Sequence, residues 1–255
     1  MKITFLGTGN STGVPIITCK CKVCTSANPK NKRLRASILV TTDEGENIVI
    51  DTSTDFRQQC LSSEITNLDA IFYTHPHADH ILGLDEIRAF NFTHKKSIPV
   101  YGNKFTLDSI MKTFHYILKP LQRGGGVPQV NLNFIEEGKF KILERIEVEA
   151  IPIMHGIMEV FAYRIGNFAY VTDFNKISEE SKNKLKNLDL LILGILREKP
   201  HSTHICLDEG LQLVEELKPK RTLVTHTTHM FEYEEFNKNT PENFEMAFDG
   251  LTVEV

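Results

Sequence analysis

Thr74-His75-Pro76-His77-Ala78-Asp79-His80 sets four metal-competent side chains within six positions. They cannot share one helix face, because residues two apart on a helix point to nearly opposite sides. A loop leaving a strand end can instead turn His75 and His77 toward one point, and Asp79 with His80 toward a neighbouring one. Two neighbouring points give room for two metal ions, and histidine clusters this dense are rare without a metal. Ala70 to Tyr73, just upstream, is the short apolar run expected of that strand.

Three further apolar runs end in the same way. Ala150 to Met154 leads to His155, Phe168 to Val171 leads through Thr172 to Asp173, and Thr222 to Val224 leads through Thr225 to His226. Ligands at strand ends converge on one edge of a packed sheet core, where rigid elements fix metal geometry. Other strand-like runs are Ile3 to Leu6, Ile38 to Thr41, Ile48 to Ile50, Pro99 to Tyr101, Phe161 to Ile165 and Leu190 to Leu196. Gly166-Asn167 reads as a tight hairpin turn. Helical signals are fewer. Ile81, Leu84, Ile87 and Phe90 recur every third residue, and Leu207, Leu211, Val214 and Leu217 follow the candidate caps Ser202 and Thr203. Gly124-Gly125-Gly126-Val127-Pro128 reads as a loop or hinge. No repeat or linker divides the chain, so one layered α/β (α+β) domain is expected over residues 1–255.

The 255 residues are 41% apolar and 24% charged with a net charge of −4, the balance of a chain able to bury a sizeable core. No apolar run approaches the roughly 18 residues that cross a bilayer, and Met1 leads straight into a strand-like run without signal-peptide features, so a cytoplasmic protein is expected. Mild acidity argues against a broad basic face for nucleic acid, while leaving room for small anions at a local site. Three of the five cysteines, Cys19, Cys21 and Cys24, fall within six residues. That crowding suits a reduced thiolate cluster rather than a disulfide framework, and a tetrahedral zinc that needs one more ligand. Cys60 and Cys206 read as inert core, His94 and His115 as structural, and Lys32, Arg33 and Arg35 as a solvated charge run. Gly7-Thr8-Gly9-Asn10-Ser11-Thr12-Gly13 lacks both nucleotide-loop spacings and reads as a tight turn after the first strand.

The H-x-H-x-D-H string, followed by His155, Asp173 and His226 in that order, resembles the metallo-β-lactamase superfamily over nearly the whole chain. The resemblance implies a four-layer αββα sandwich with two divalent ions at the sheet edge. His75, His77 and His155 would bind the first ion, Asp79, His80 and His226 the second, and Asp173 would bridge both. Members that cleave β-lactams typically carry a cysteine near that place, whereas a bridging aspartate is typical of binuclear phosphodiesterases and thioesterases. Two divalent ions, two carboxylates and one hydroxide leave about +1, matched to a phosphodiester monoanion. The Cys19-x-Cys21-x-x-Cys24 start, with His229 three residues after His226, is similar to the PhnP family of phosphoribosyl cyclic phosphodiesterases. By that likeness Cys19, Cys21, Cys24 and His229 hold a structural zinc. In the same pattern a histidine of His201-Ser202-Thr203-His204 serves as general acid, and His204, adjoining the helix start, is favoured over His201. Asp51, at the end of Ile48 to Ile50, stands where family members have an aspartate that supports the ligand loop.

The expected activity is that of a binuclear phosphodiesterase. A small cyclic, phosphoribosyl or nucleotide-like diester would be attacked by metal-bound hydroxide in a centre built on Asp79 and Asp173, with His204 protonating the leaving oxygen. The family likeness also implies a homodimer. Zinc, manganese and iron all suit mixed His/Asp ligands. Phe92 to Gly126 carries nothing diagnostic of the substrate. Three other readings stand beside this one. An RNase Z-like transfer-RNA 3′-processing endonuclease is opposed by the negative charge and by the lack of a long basic Gly/Pro-rich insertion. A PqqB-like cofactor-biosynthesis protein shares the C-x-C-x-x-C start. A non-catalytic zinc-binding module would hold one metal ion rather than three.

Overall fold

Ile38, Val40, Ile48, Ile50, Ala70 and Phe72 face one side of their strands, and Leu39, Val49 and Ile71 face the other; all nine are buried. A strand alternates faces at every residue, so this pattern demands cover on both sides. The computed structural model, which describes residues 1–118 and 126–255, supplies it with two sheets packed face to face and helices outside each. Gly124 and Gly125 of the glycine-rich stretch lie outside the described residues.

Among the described residues the first sheet has the order β14-β1-β2-β3-β4-β5-β6. Its strands are β1 (Lys2–Gly7), β2 (Ser37–Thr41), β3 (Asn47–Ile50), β4 (Ala70–Phe72), β5 (Ile98–Gly102), β6 (Val130–Phe134) and β14 (Thr252–Glu254). The second has the order β13-β12-β11-β10-β9-β8-β7. It is built from β7 (Gly138–Ile142), β8 (Ile146–His155), β9 (Met158–Ile165), β10 (Phe168–Val171), β11 (Leu190–Gly194), β12 (Arg221–Thr225) and β13 (Phe244–Met246). Ile3, Phe5, Ile38, Phe72, Tyr163, Phe168, Tyr170 and Ile192 meet between the sheets. On the outer face of the first sheet, Leu39, Val49 and Ile71 pack against Ile81, Leu84, Ile87 and Phe90. On the outer face of the second, Ala169, Val171, Leu191 and Leu193 pack against Leu213, Val214 and Leu217. The layers are therefore α, β, β, α, as the family likeness implies.

Strand direction decides where the site lies. β3, β4, β5 and β6 run parallel, as do β10, β11, β12 and β13. β8 is antiparallel to β9 and β9 to β10, so β8 and β10 point the same way. The carboxyl ends of β4, β8, β10 and β12 thus share one edge of the sandwich, where ligands of open α/β sheets gather. Two bonds close that edge between the sheets: the Phe161 amide donates to Thr74 O at 3.1 Å, and the Tyr163 hydroxyl donates to Tyr73 O at 2.7 Å.

One helical expectation holds and the other is corrected at its start. Ile81, Leu84, Ile87 and Phe90 are helical, as expected. They span α1 (Ala78–Ile81), a 3-10 segment (Leu82–Ile87) and α2 (Arg88–His94). A repeat of three is the 3-10 period itself, and it brings all four apolar side chains onto one buried face. The late helix α3 (Leu207–Leu217) starts after Cys206, not at Ser202 or Thr203; the Cys206 amide donates to Glu209 Oε2 at 2.8 Å in place of a hydroxyl cap. Burial pushes the Cys60 thiol up to about 12 against the outer core, and it raises Cys206 as well, so both are poor nucleophiles.

Gly83 carries the 3-10 segment across the loop after β3. A Cβ there would stand 2.2 Å from Ser53 O and 2.5 Å from Phe56 Cβ, against backbone that cannot swing away. Gly83→Ala is expected to cost about 2 kcal/mol through overpacking and to lower Tm by roughly 4–8 °C. An unchanged thermal unfolding curve would show that the contact relaxes freely.

Candidate metal centre

Asp51 follows β3 and is wholly buried, with its carboxylate at the hub of the ligand loop. It accepts from the Thr74 amide at 2.9 Å, the Thr74 hydroxyl at 2.8 Å and His80 Nδ1 at 2.8 Å. Because the Thr74 hydroxyl donates to Asp51, its oxygen takes the proton of His75 Nδ1 at 2.9 Å. His155 Nδ1 likewise donates to Thr203 O at 2.8 Å. In this hydrogen-bond network the Nδ1 atoms of His75, His80 and His155 carry the protons, and their Nε2 lone pairs are turned toward the centre.

There the side chains gather in two groups, each with ligand atoms within 4.8 Å of one another: His75, His77 and His155, and Asp79, His80, Asp173 and His226. Asp173 lies between them. Its Oδ2 is 3.7 Å from His75 Nε2 and 3.6 Å from His80 Nε2, while its Oδ1 is 3.2 Å from His226 Nε2. His226 Nε2 and His80 Nε2 stand 3.6 and 3.3 Å from Asp79 Oδ2. His80 Nε2 and His226 Nε2, which face the carboxylates, are buried without a hydrogen-bond partner, as ligand atoms turned toward an ion would be. The electrostatics agree. Although burial works against the charged ring, Asp79, Asp51 and Asp173 raise His80 well above the ordinary histidine value. Burial also opposes ionisation of Asp79 and Asp173, yet the histidines around them hold both carboxyls well below the usual carboxylate range. A field that draws a proton so strongly draws a divalent cation too, so the Asp79, His80, Asp173 and His226 donors fit such an ion.

Asp51, Asp173 and His226 have φ of 64°, 54° and 56°, in the left-handed region that non-glycine residues seldom occupy. Such strain, about 1–3 kcal/mol per residue, gathers where the surroundings force a functional geometry.

Cys19, Cys21 and Cys24 Sγ lie 3.3, 3.4 and 3.4 Å from His229 Nδ1. Tetrahedral zinc with bonds of about 2.0–2.3 Å fits those separations. The Cys24 amide and the neighbouring thiols hold the Cys21 thiol down to about 6 against its burial, while burial pushes Cys24 up to about 11. A cation is what would keep all three as thiolates.

His204 sits over the first cluster, its ring 4.7 Å from that of His155 and 5.3 Å from that of His226. Its nitrogen also falls within 4.8 Å of ligand atoms of His155 and Asp173. Burial pulls His204 down to about 3 against the opposing charge of Asp173. His201 is one step farther out, 5.2 Å from His204, with its Nδ1 3.2 Å from the Thr203 hydroxyl. His94 and His115 are exposed and outside these groups; His94 donates to Thr66 O.

Of the expected charge run, Lys32 and Arg35 are at least partly exposed, Arg35 pairing with Asp55 at 2.9 Å, but Arg33 is buried, with 1% exposure. Its solvent is replaced by four oxygen acceptors, from Asn31, Thr227, Thr228 and Phe231. The threonines before the ligands were visible in the sequence, but their role was not. Thr74, Thr172 and Thr225 each precede a ligand, and the hydroxyls of Thr74 and Thr172 bond to the side chains of His75 and Asp173. That threefold Thr-ligand step is the signal that would have shown it. Asn175 left no such trace: it accepts from the Gly156 amide and donates to Ser202 O, tying the turn after His155 to the loop of His204.

A family model for the beta-lactamase superfamily domain matches residues 46–227. The crystal structure of a diphosphatase of the PhnP family is similar over 100% of this chain and 97% of its own, with 40% identity and a TM-score of 0.92. An octanoyltransferase of Porphyromonas gingivalis is 34% identical over 98% of this chain but only 51% of its own length; the chain spans about half the length, or less, of several curated relatives it matches. Zinc-bound PqqB of Methylobacterium extorquens, at 18% identity and a TM-score of 0.82 over 100% of both chains, shares the fold. By sequence across its centre and by backbone throughout, the chain belongs to the beta-lactamase superfamily, as a PhnP-like metallohydrolase.

Proposed function

We propose that this chain is a binuclear, metal-dependent phosphodiesterase of small, cyclic or nucleotide-like phosphodiesters, with residues 1–255 forming one hydrolase domain. The observation that carries the reading is the place of Asp173, one carboxylate within 4 Å of imidazole nitrogens from both groups. His75, His77 and His155 would hold one ion, Asp79, His80 and His226 the other, and Asp173 both. Cys19, Cys21, Cys24 and His229 would hold a separate structural zinc. Two divalent ions, zinc, manganese or iron by ligand type, would supply Lewis-acid stabilisation of the phosphoryl oxygens and activation of water.

The protein's own part is orientation and proton transfer. Asp51, Thr74 and Thr203 fix the tautomers of three histidines, so that no ligand must turn during the reaction. His204 flanks the centre where the leaving oxygen of a bound diester departs. Its imidazole is neutral without substrate, and the negative charge of a bound diester beside it raises its proton affinity. His204 would take up a proton from water as the diester binds and pass that proton to the departing alkoxide, returning to the neutral imidazole.

Turnover of bis(p-nitrophenyl) phosphate and of a panel of cyclic and linear diesters by the metal-loaded protein tests the activity, and no turnover of any diester would overturn it. His204→Ala tests the proton. It is expected to lose about 10²-fold on a diester with a poor alkoxide leaving group and far less on the p-nitrophenyl diester. Equal losses on both would remove His204 from the donor role.

A further inference from the structure

Arg33 heads the wholly buried side chains by size, yet it is not among the groups that would hold a metal. Its Nη1 donates to Thr227 Oγ1 at 3.1 Å and Thr228 O at 2.9 Å, and its Nη2 to Phe231 O at 2.7 Å and Asn31 Oδ1 at 3.0 Å. Thr227 and Thr228 are the two residues between His226 and His229. One short turn therefore carries a member of the His/Asp group at one end and a member of the cysteine group at the other, and the guanidinium grips it between them. The backbone of Arg33 reaches the cysteine loop from the opposite side: it exchanges hydrogen bonds with Val14 at 2.7 and 2.8 Å, and Val14 packs with Cys24. Next to it, Lys32 Nζ donates to Cys24 O at 3.1 Å. A planar fork with fixed donor directions is the side chain suited to such a junction: Nη1 and Nη2 each meet two acceptors on and beside the turn, while Nε is buried without one.

We propose that Arg33 is a positioning residue for both clusters, aiming His226 and His229 together through the Thr227-Thr228 turn and so coupling metal binding at the cysteine group to metal binding at the His/Asp group. This rests on the two-cluster reading above. Occupation of the cysteine group pins His229, Arg33 carries that restraint across the turn, and His226 keeps its strained φ of 56° facing Asp173 and Asp79.

The test is cobalt(II) titration of the full chain, which reports thiolate-bound and His/Asp-bound metal by separate absorption bands. Arg33→Lys keeps the charge and removes the fork. Cobalt affinity of the group containing His226 is expected to fall about 10-fold or more, the effect of losing a ligand-orienting partner. The thiolate band should shift or weaken in the same titration, while the His75, His77 and His155 group keeps its affinity. A folded Arg33→Lys protein with both the thiolate band and the second His/Asp affinity unchanged would overturn the role of Arg33. So would a uniform loss at all three groups, the mark of a merely structural side chain. Should Arg33→Lys not fold, Asn31→Ala removes one of the four acceptors, and the same selective pattern, smaller, is then required. A wild-type chain that takes cobalt at the cysteines alone would overturn the binuclear centre and this coupling together, whereas binding indifferent to Arg33 overturns the coupling only.

Discussion

Asp173→Asn is expected to lower kcat for a phosphodiester by about 10³-fold or more, some 4 kcal/mol of transition-state stabilisation. The substitution is nearly isosteric, so the loss follows from chemistry rather than packing. Thr172 Oγ1 donates to Oδ1 at 2.6 Å and will keep the amide oxygen on that side. The amide nitrogen is then left at the Oδ2 position, between His75 Nε2 and His80 Nε2, where it has no lone pair for either ion. One negative charge would also be lost from the proposed centre, leaving Asp79 as its one ligand carboxylate. Both metal affinity and rate should fall, and metal titration beside steady-state kinetics measures the two separately. A variant that keeps both metals and loses less than about tenfold in kcat, under 1.4 kcal/mol, would mean that Asp173 bridges nothing.

The second large effect is on stability. Cys24→Ser is expected to release the metal of the cysteine group and to lower Tm by roughly 10 °C, about 3 kcal/mol. The apolar support of this loop is slight. Val14, Val23 and Cys24 are its buried hydrophobic residues, with Ile16, Cys19 and Cys21 only partly covered. So small a cluster cannot by itself repay the ordering of more than ten residues at about 1–2 kcal/mol each. A metal cross-link to His229, over 200 residues along the chain, would replace the missing core. Differential scanning calorimetry with metal analysis checks the expectation, and cleavage within residues 15–28 by a trace of protease should accelerate in the variant. Unchanged Tm and metal content would show that the thiols hold no ion.

The ligand loop was legible because its density of histidine and aspartate has no other economical explanation, and His155, Asp173 and His226 because each follows an apolar strand run. Local order along the chain was enough for both. What the sequence hid was decided at a distance. Nothing in Arg33 signals that its acceptors stand at Thr227, Thr228 and Phe231, and a charged run is solvated unless a fold brings oxygen atoms to it. β6 and β7 escaped notice because Asn131, Asn133, Lys139 and Lys141 break up their apolar residues, as befits strands at sheet edges. β13 and β14 are three residues each, too short for any periodicity to register. The repeat of Ile81, Leu84, Ile87 and Phe90 was legible as helical, and its spacing of three is that of the 3-10 segment at its middle. Asp51 is the intermediate case. Its position at a strand end was visible, while the three hydrogen bonds that make it a hub appear only once Thr74 and His80 fold over it.

Anomalous diffraction at the zinc edge, from crystals of the full chain grown with zinc, asks the central question in one experiment. The expected map has two peaks about 3.5–4 Å apart on either side of the Asp173 carboxylate. A third is expected about 2.0–2.3 Å from the sulfur atoms of Cys19, Cys21 and Cys24 and from His229 Nδ1. A lone peak among the cysteines, with nothing between His75 and His226, would contradict the binuclear centre outright.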